Sequence, residues 1–501
     1  MRAPEEKTKT DGTTASTLKP HEDDVKPEHE AGNSNNTEIT PHHASAPDVS
    51  LSALFRLSAP LFVANMAIMG AATIDTIMAG RLGAEHLAVV ALGGATSVMV
   101  LFALVGILQG LSPIAGHHFG AGKYRLIGFE LTQSLWLALL LAVIAVVVIL
   151  QTDFWVNFGG VSGEVARMTT EYFYASAWGL PAAVIMRCFI ALNSAVNRPR
   201  VSMYISLTLL ATKAPLNLLF MYGWLGFPAM GGAGAAMAMS VNSWIALIAY
   251  YVIWKKSSAY DAMRPEKFYL PQIKAILAQL RLGIPIGLTI FFEVSSFTLM
   301  AIFISRIGTV DVAAHQIVGN ITATLYQVPL SLAIAVCVLV SQCLGAGAKE
   351  AARTITVRTL KCAVLITATN AVLLYVFRGE LVSLYTPDAA VQKLAASLLI
   401  FGVIYHVTDA CQSVSNFALR GYRVTVLPMV LYGVLLWCVG LGGGYYLGFY
   451  AEPWGGPYGA AGFWAATTVG LVLAGISLSS LALYVARERA REDGRAGVRT
   501  K

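Results

Sequence analysis

From residue 51 to residue 485, apolar stretches of about twenty residues follow one another almost without pause. A bilayer core about 30 Å thick is crossed by about 20 residues of helix, so each stretch is long enough to span it. The pattern predicts helices near 52–79, 87–112, 128–151, 168–192, 201–222 and 235–254, and again near 282–304, 315–341, 357–377, 394–418, 426–448 and 460–485. The expected fold class is therefore all-α integral membrane, with twelve transmembrane helices in two pseudo-symmetric six-helix bundles. The domain order that follows is a tail over 1–50, an N-terminal lobe over 51–254, a basic inter-lobe loop over 255–281, a C-terminal lobe over 282–485 and a basic tail over 486–501.

Charge gives this pattern a direction. Loops on the cytoplasmic side of a membrane are enriched in Lys and Arg. One alternate set of loops carries Lys123, Arg125, Arg198, Arg200, the basic residues of 255–281, Lys349, Arg353, Arg358, Lys361, Arg420 and Arg423. The opposite set has Arg81, Arg167, Arg306, Arg378 and Lys393. Both termini are thus expected in the cytoplasm, which requires an even number of spans. The net charge of +7 follows from topology and calls for no nucleic acid. Residues 1–50 are polar and expected to be disordered. They hold no short apolar core with a cleavage site, so they read as a tail and not a signal peptide.

Repetition sharpens the division into halves. Ala59-Pro60 matches Ile284-Pro285, Arg81-Leu82-Gly83 matches Arg306-Ile307-Gly308, and Gly120-Ala121-Gly122 matches Gly345-Ala346-Gly347. Each pair is separated by the same offset, 285 − 60 = 225 residues. Six spans per copy give both copies the same orientation, so the repeat is parallel and a cavity is expected between the lobes.

Ionisable residues inside spans are costly and mark substrate or ion pathways. Glu293 lies near the middle of the seventh span, with Thr289 and Ser296 on the same helical face. Asp409 lies near the middle of the tenth, in a polar stripe of Tyr405, Gln412, Ser413 and Asn416. These oxygens could coordinate Na⁺, or a carboxylate could carry a proton, and the spacing does not choose between them. Asp75, toward the outer end of the first span, is a candidate for guiding cations. Arg187 and Lys213 either snorkel or neutralise acids, and His315 and His406 read as hydrogen-bonded helix residues. Met66, Met69, Met78, Phe291, Phe292 and Phe297 suit core packing or a cation-friendly wall. The six cysteines stand singly, without metal-ligand spacing, and no ATP-binding motif occurs. No cofactor is expected beyond the coupling ion.

The segments Asp75-Thr76-Ile77-Met78-Ala79-Gly80-Arg81-Leu82-Gly83, Phe292-Glu293-Val294-Ser295, Ala313-Ala314-His315-Gln316 and Leu419-Arg420-Gly421-Tyr422 together resemble those of multidrug and toxic compound extrusion (MATE) transporters, in particular the NorM-type bacterial branch. The resemblance spans nearly all of 51–485. It implies a multi-pass protein of the bacterial inner membrane that is not an enzyme and exports small lipophilic or cationic molecules against inward Na⁺ or H⁺ by alternating access. It also implies a cation site at Glu293, Asp409 and Tyr405, with Glu293 and Asp409 as metal ligands if sodium is coupled. Expected partners are the transported molecules and membrane lipid, with a functional monomer. Two alternatives remain: a lipid-linked oligosaccharide flippase, which would need a cationic cavity, and an intramembrane enzyme, for which no nucleophile or metal motif is evident.

Overall fold

The computed structural model describes residues 48–265, 267 and 269–499. The expected tail over 1–50 lies outside them except for its last three residues. Among the described residues, twelve helices are long and apolar enough to cross a membrane. They are α1 (Leu51–Leu82), α2 (Ala84–Gly120), α3 (Tyr124–Ile149), α4 (Gly163–Ala195), α5 (Pro199–Phe220) and α6 (Gly232–Lys256), then α7 (Ile273–Ile304), α8 (Thr309–Gly345), α9 (Lys349–Val376), α10 (Ala389–Gly421), α11 (Val426–Phe449) and α12 (Gly459–Glu492).

The helices outrun the apolar stretches that announce them. α7 starts at Ile273, within the stretch assigned to the connecting loop, and helix continues beyond α12 to Arg499, through most of the expected basic tail. Hydropathy registers only the part of a helix in hydrocarbon. The polar ends Ile273–Arg281 and Lys349–Arg358 are good helix formers and continue the same hydrogen-bond ladder past the membrane edge. The segment between α6 and α7 is held against α3. The indole of Trp136 donates to the Tyr269 carbonyl at 3.1 Å, and Gln133 both donates to Leu270 O and accepts from the Gln272 N–H at 2.7 Å.

Lipid removes the hydrophobic drive for helices to associate, so close packing of small residues must do it. α6 opens with Gly232-Ala233-Gly234-Ala235-Ala236, all buried. Gly179 of α4 leaves no room for a Cβ against Ser240 of α6, and Ser240 Oγ donates to the Ala175 carbonyl of α4 at 2.7 Å. Large apolar side chains instead face outward, as with Leu139, Leu140, Val143 and Val147 on α3 and Leu365, Val372 and Leu373 on α9. In a bilayer these are lipid-facing surfaces.

Both ends of the described chain meet the start of α9: Arg358 donates to Val49 O at 3.0 Å, and Lys349 lies 3.6 Å from Glu492. This end of the bundle is termed the terminal face. Toward it the first and last six helices are joined by a tight seam. A Cβ on Gly283 of α7 would stand 2.1 Å from Ile107 O of α2, and one on Gly106 would stand 2.5 Å from the Gly287 Cα. Gly120 meets the backbone of Gln342, Gly345 meets that of His117, and Gly116 meets Ser341. Polar side chains reinforce these approaches. The Gln279 amide of α7 accepts from Ser134 at 2.7 Å and donates to Glu130 at 2.7 Å, both on α3. Gln342 of α8 donates to Ala195 O at 2.8 Å and pairs with Asn197.

Candidate functional site

The site forms where five of the last six helices, α7, α8, α10, α11 and α12, converge. In α7, Pro285 interrupts the helical ladder and the Thr289 hydroxyl donates to its carbonyl at 2.8 Å. One turn on, Glu293 projects from the same face, half-buried, and the hydroxyl of Tyr326 from α8 donates to its Oε1 at 3.4 Å. Asp409 of α10 is 7% exposed and lies in the electrostatic field of Glu293. Tyr405, one turn before Asp409, lies in the field of both acids and packs edge-on to Trp464 of α12, with ring centres 5.9 Å apart. The structure thus brings Glu293 to Asp409 and Tyr405, which lie more than a hundred residues further along the sequence.

The remaining polar stripe has several roles. Ser413 donates to the Asp409 carbonyl at 2.7 Å, and Asn416 donates to the Tyr432 hydroxyl of α11 at 3.1 Å. Ser296 is buried on the Glu293 face. Gln412 is fully buried, and both polar atoms of its amide lack a partner among the described residues. A buried amide in that state needs water or a ligand. Alongside, Trp437 of α11 donates to Phe292 O and to Ser295 Oγ, both at 3.2 Å, and so pins the turn of α7 that carries Glu293.

Asp75 is engaged elsewhere, in the first six helices. Its Oδ1 lies 2.9 Å from the Lys213 Nζ and accepts from Asn217 at 2.7 Å, both on α5. Lys213 is 2% exposed and also donates to Ala235 O. Of the two readings offered by sequence, Lys213 neutralises an acid. His315 is buried between Phe297 and Trp464, and His406 is also buried. The cysteines are unpaired.

Three contributors escape a sequence reading. Tyr326 and Tyr432 are tyrosines in apolar helices, with nothing local to set them apart. Arg420 is assigned above to a basic loop, and the structure corrects this: it is the penultimate residue of α10, 3% exposed, within the field of Glu293, Tyr326 and Tyr432. A basic residue at the end of an apolar stretch looks interfacial. Only tertiary structure reveals that it is buried and bonded to Gln109 of α2. Among the described residues no group of three or more His, Cys, Asp or Glu side chains could hold a metal ion. The two carboxylates and their phenols are hard oxygen donors, suited to a proton or an alkali cation and poorly to zinc or copper.

Twelve spanning helices joined by a seam, with two carboxylates and a cluster of phenols inside the last six, define the class of polytopic membrane transporters. The MatE family profile matches the chain twice, over residues 60–219 and 285–446, each copy starting 225 residues from the other. A probable multidrug resistance protein NorM of Aromatoleum aromaticum is 38% identical over 452 residues, 88% of this chain and 96% of that one. The multidrug resistance protein NorM of Aliivibrio fischeri is 32% identical over 444 residues, covering 88% and 96%. A solved outward-facing multidrug resistance MATE transporter of the MOP superfamily shares the fold, with TM-score 0.80 at 19% identity over 91% of this chain and all of that one. The chain belongs to the MATE family, whose members are transporters and not enzymes.

Proposed function

We propose that the protein exports small organic cations and other toxic compounds across the bacterial inner membrane, in exchange for Na⁺ or H⁺ entering through the site at Glu293, Asp409 and Tyr405. The observation that carries this reading is that two carboxylates on membrane-spanning helices, Glu293 and the buried Asp409, lie within each other's electrostatic field, with the Tyr326 hydroxyl donating to Glu293 at 3.4 Å. Two carboxylates in a low-dielectric site repel each other unless a cation or proton lies with them. Occupancy by the driving ion therefore changes the charge that an organic cation meets, and alternating access lets the two occupants leave on opposite sides. The two intramembrane carboxylates also argue against a flippase for an anionic headgroup, since an anion would approach them against their field.

The basic terminal face and the positive-inside rule support cytoplasmic termini. The seam then lies on the cytoplasmic side, and the described conformation is closed toward the cytoplasm. One positive charge entering down 100 mV supplies about 2.3 kcal/mol, enough for a roughly fifty-fold gradient. The test is dye export in proteoliposomes under separately imposed Na⁺ and pH gradients. One gradient is expected to drive it and Glu293→Gln to abolish it. Gradient-independent export, or full activity in that variant, overturns the reading.

A further inference from the structure

We propose that Arg420 transmits the occupancy of the carboxylate site to the seam, acting as a fixed positive charge whose counter-ion, Glu293, the driving cation neutralises. The inference rests on the ion-binding role proposed for Glu293 and Asp409. It extends that role by naming the residue that turns binding into motion.

Arg420 is held from both sides of the seam. It belongs to α10 in the last six helices, yet its Nη1 donates to the Gln109 Oε1 of α2, in the first six, at 3.1 Å. Its guanidinium carbon stands 3.9 Å over the Phe417 ring, and its Nε has no partner among the described residues. The titratable groups whose fields reach it are Glu293 on α7, Tyr326 and Cys337 on α8, and Tyr432 on α11. Among these the Glu293 carboxylate is the anion. No close ion pair with a described carboxylate is formed. The neutrality of this buried charge therefore depends on Glu293 at longer range, together with one neutral amide across the seam.

A buried charge that loses its counter-ion is strongly destabilising, whereas the same charge in water is not. For Arg420, a cation bound at Glu293 is equivalent to removal of the counter-ion. Opening the seam at Gln109 hydrates the guanidinium and relieves that cost. Ion binding therefore favours opening at the terminal face. By linkage an open seam or an absent arginine favours ion binding. When the ion leaves toward the open face, Glu293 regains its charge, Arg420 is compensated again, and closure becomes favourable. An arginine that merely packed the helix end would produce the seam contact without the effect on ion affinity.

The experiment pairs ion binding with seam distance in full-length protein in lipid nanodiscs. Na⁺ binding is read by isothermal titration, with proton binding read by pH titration if sodium has no effect. The seam is read by spin labels on the terminal-face ends of α2 and α7. In the wild type the ion should widen the label distance. Arg420→Gln should bind the ion about tenfold more tightly and show no distance response, while Arg420→Lys should retain the response. Gln109→Leu keeps the arginine and loses only the bond across the seam, so it should widen the distance without ion and tighten ion binding by reciprocity. It also guards against a folding defect in the first variant. Unchanged ion affinity in both Arg420→Gln and Gln109→Leu overturns the role of Arg420 and leaves the ion site intact. Loss of ion binding in neither Glu293→Gln nor Asp409→Asn overturns the underlying site instead.

Discussion

Lys213 and Tyr326 place opposite demands on single residues. Lys213 is buried for the sake of Asp75, 2.9 Å away, and removing one member of such a pair leaves an uncompensated charge in a medium that cannot solvate it. Lys213→Met is expected to destabilise the protein by about 3–5 kcal/mol, the range for a broken buried pair. The double variant Asp75→Asn, Lys213→Met should regain most of that loss, and thermal unfolding in detergent checks both. Tyr326 contributes one hydroxyl to Glu293 at the long distance of 3.4 Å. A hydrogen bond to a charged group is worth about 1.5–3 kcal/mol, and a long one belongs at the lower end. Tyr326→Phe should raise the half-saturating concentration of the driving ion about tenfold while leaving folding unchanged, as read from dye export against ion concentration. The acids of this site were legible because carboxylates in apolar helices are rare and expensive. The phenols and Arg420 were not, because a tyrosine costs little in a membrane helix and an arginine at a helix end has an ordinary reason to be there.

At the scale of elements, two features govern how helices can move. The first is the glycine approach between α2 and α7. A methyl group at Gly283 would meet Ile107 O at 2.1 Å, a backbone atom that cannot swing aside. Gly283→Ala should wedge the seam open, and overpacking of this kind costs about 1–3 kcal/mol. That range shifts a two-state equilibrium by about 5- to 150-fold, a change visible in spin-label distance distributions between α2 and α7. Gly122 is the contrasting position. Nothing lies within 4 Å of its added Cβ, so Gly122→Ala strains only a left-handed turn at φ 69° and should leave the seam closed. The second feature is the widened π-helical stretch Gly433–Gly442 in α11, from which Trp437 reaches α7. Trp437→Phe removes two hydrogen bonds beside Glu293 and should lower transport more than stability, measured as export rate against melting temperature. Hydropathy identified α11 as a span yet carried no sign of its widened turn. Helical period is set there by packing against α7 and α12 and not by any local propensity.

At the scale of the whole molecule, the fold was readable because lipid leaves so few options. A backbone in hydrocarbon must satisfy its own hydrogen bonds, so long apolar runs become helices, and the offset of 225 residues exposes the two copies. What stayed hidden was the seam, since glycines at 106, 110, 283 and 287 look like any others in membrane helices. The seam should also hold separated halves together. Co-expressed fragments 1–265 and 266–501 are expected to co-purify through one affinity tag, with Gln342→Ala plus Gln279→Ala weakening the association. The crossing of α2 and α8 carries a further implication. Gly120 meets Gln342 while Gly345 meets His117, and 342 − 117 and 345 − 120 both equal 225. Gly116 meets Ser341, its own counterpart, since 341 − 116 is again 225. Reciprocal pairing around a self-paired position is the signature of an isologous dimer, with its two-fold axis running between residues 116 and 341. The terminal-face seam thus has, within one chain, the pairing that two identical six-helix chains would make with each other. In two identical chains a substitution on that axis strikes both sides at once; within one chain each side can differ, as Ser341 opposite Gly116 does.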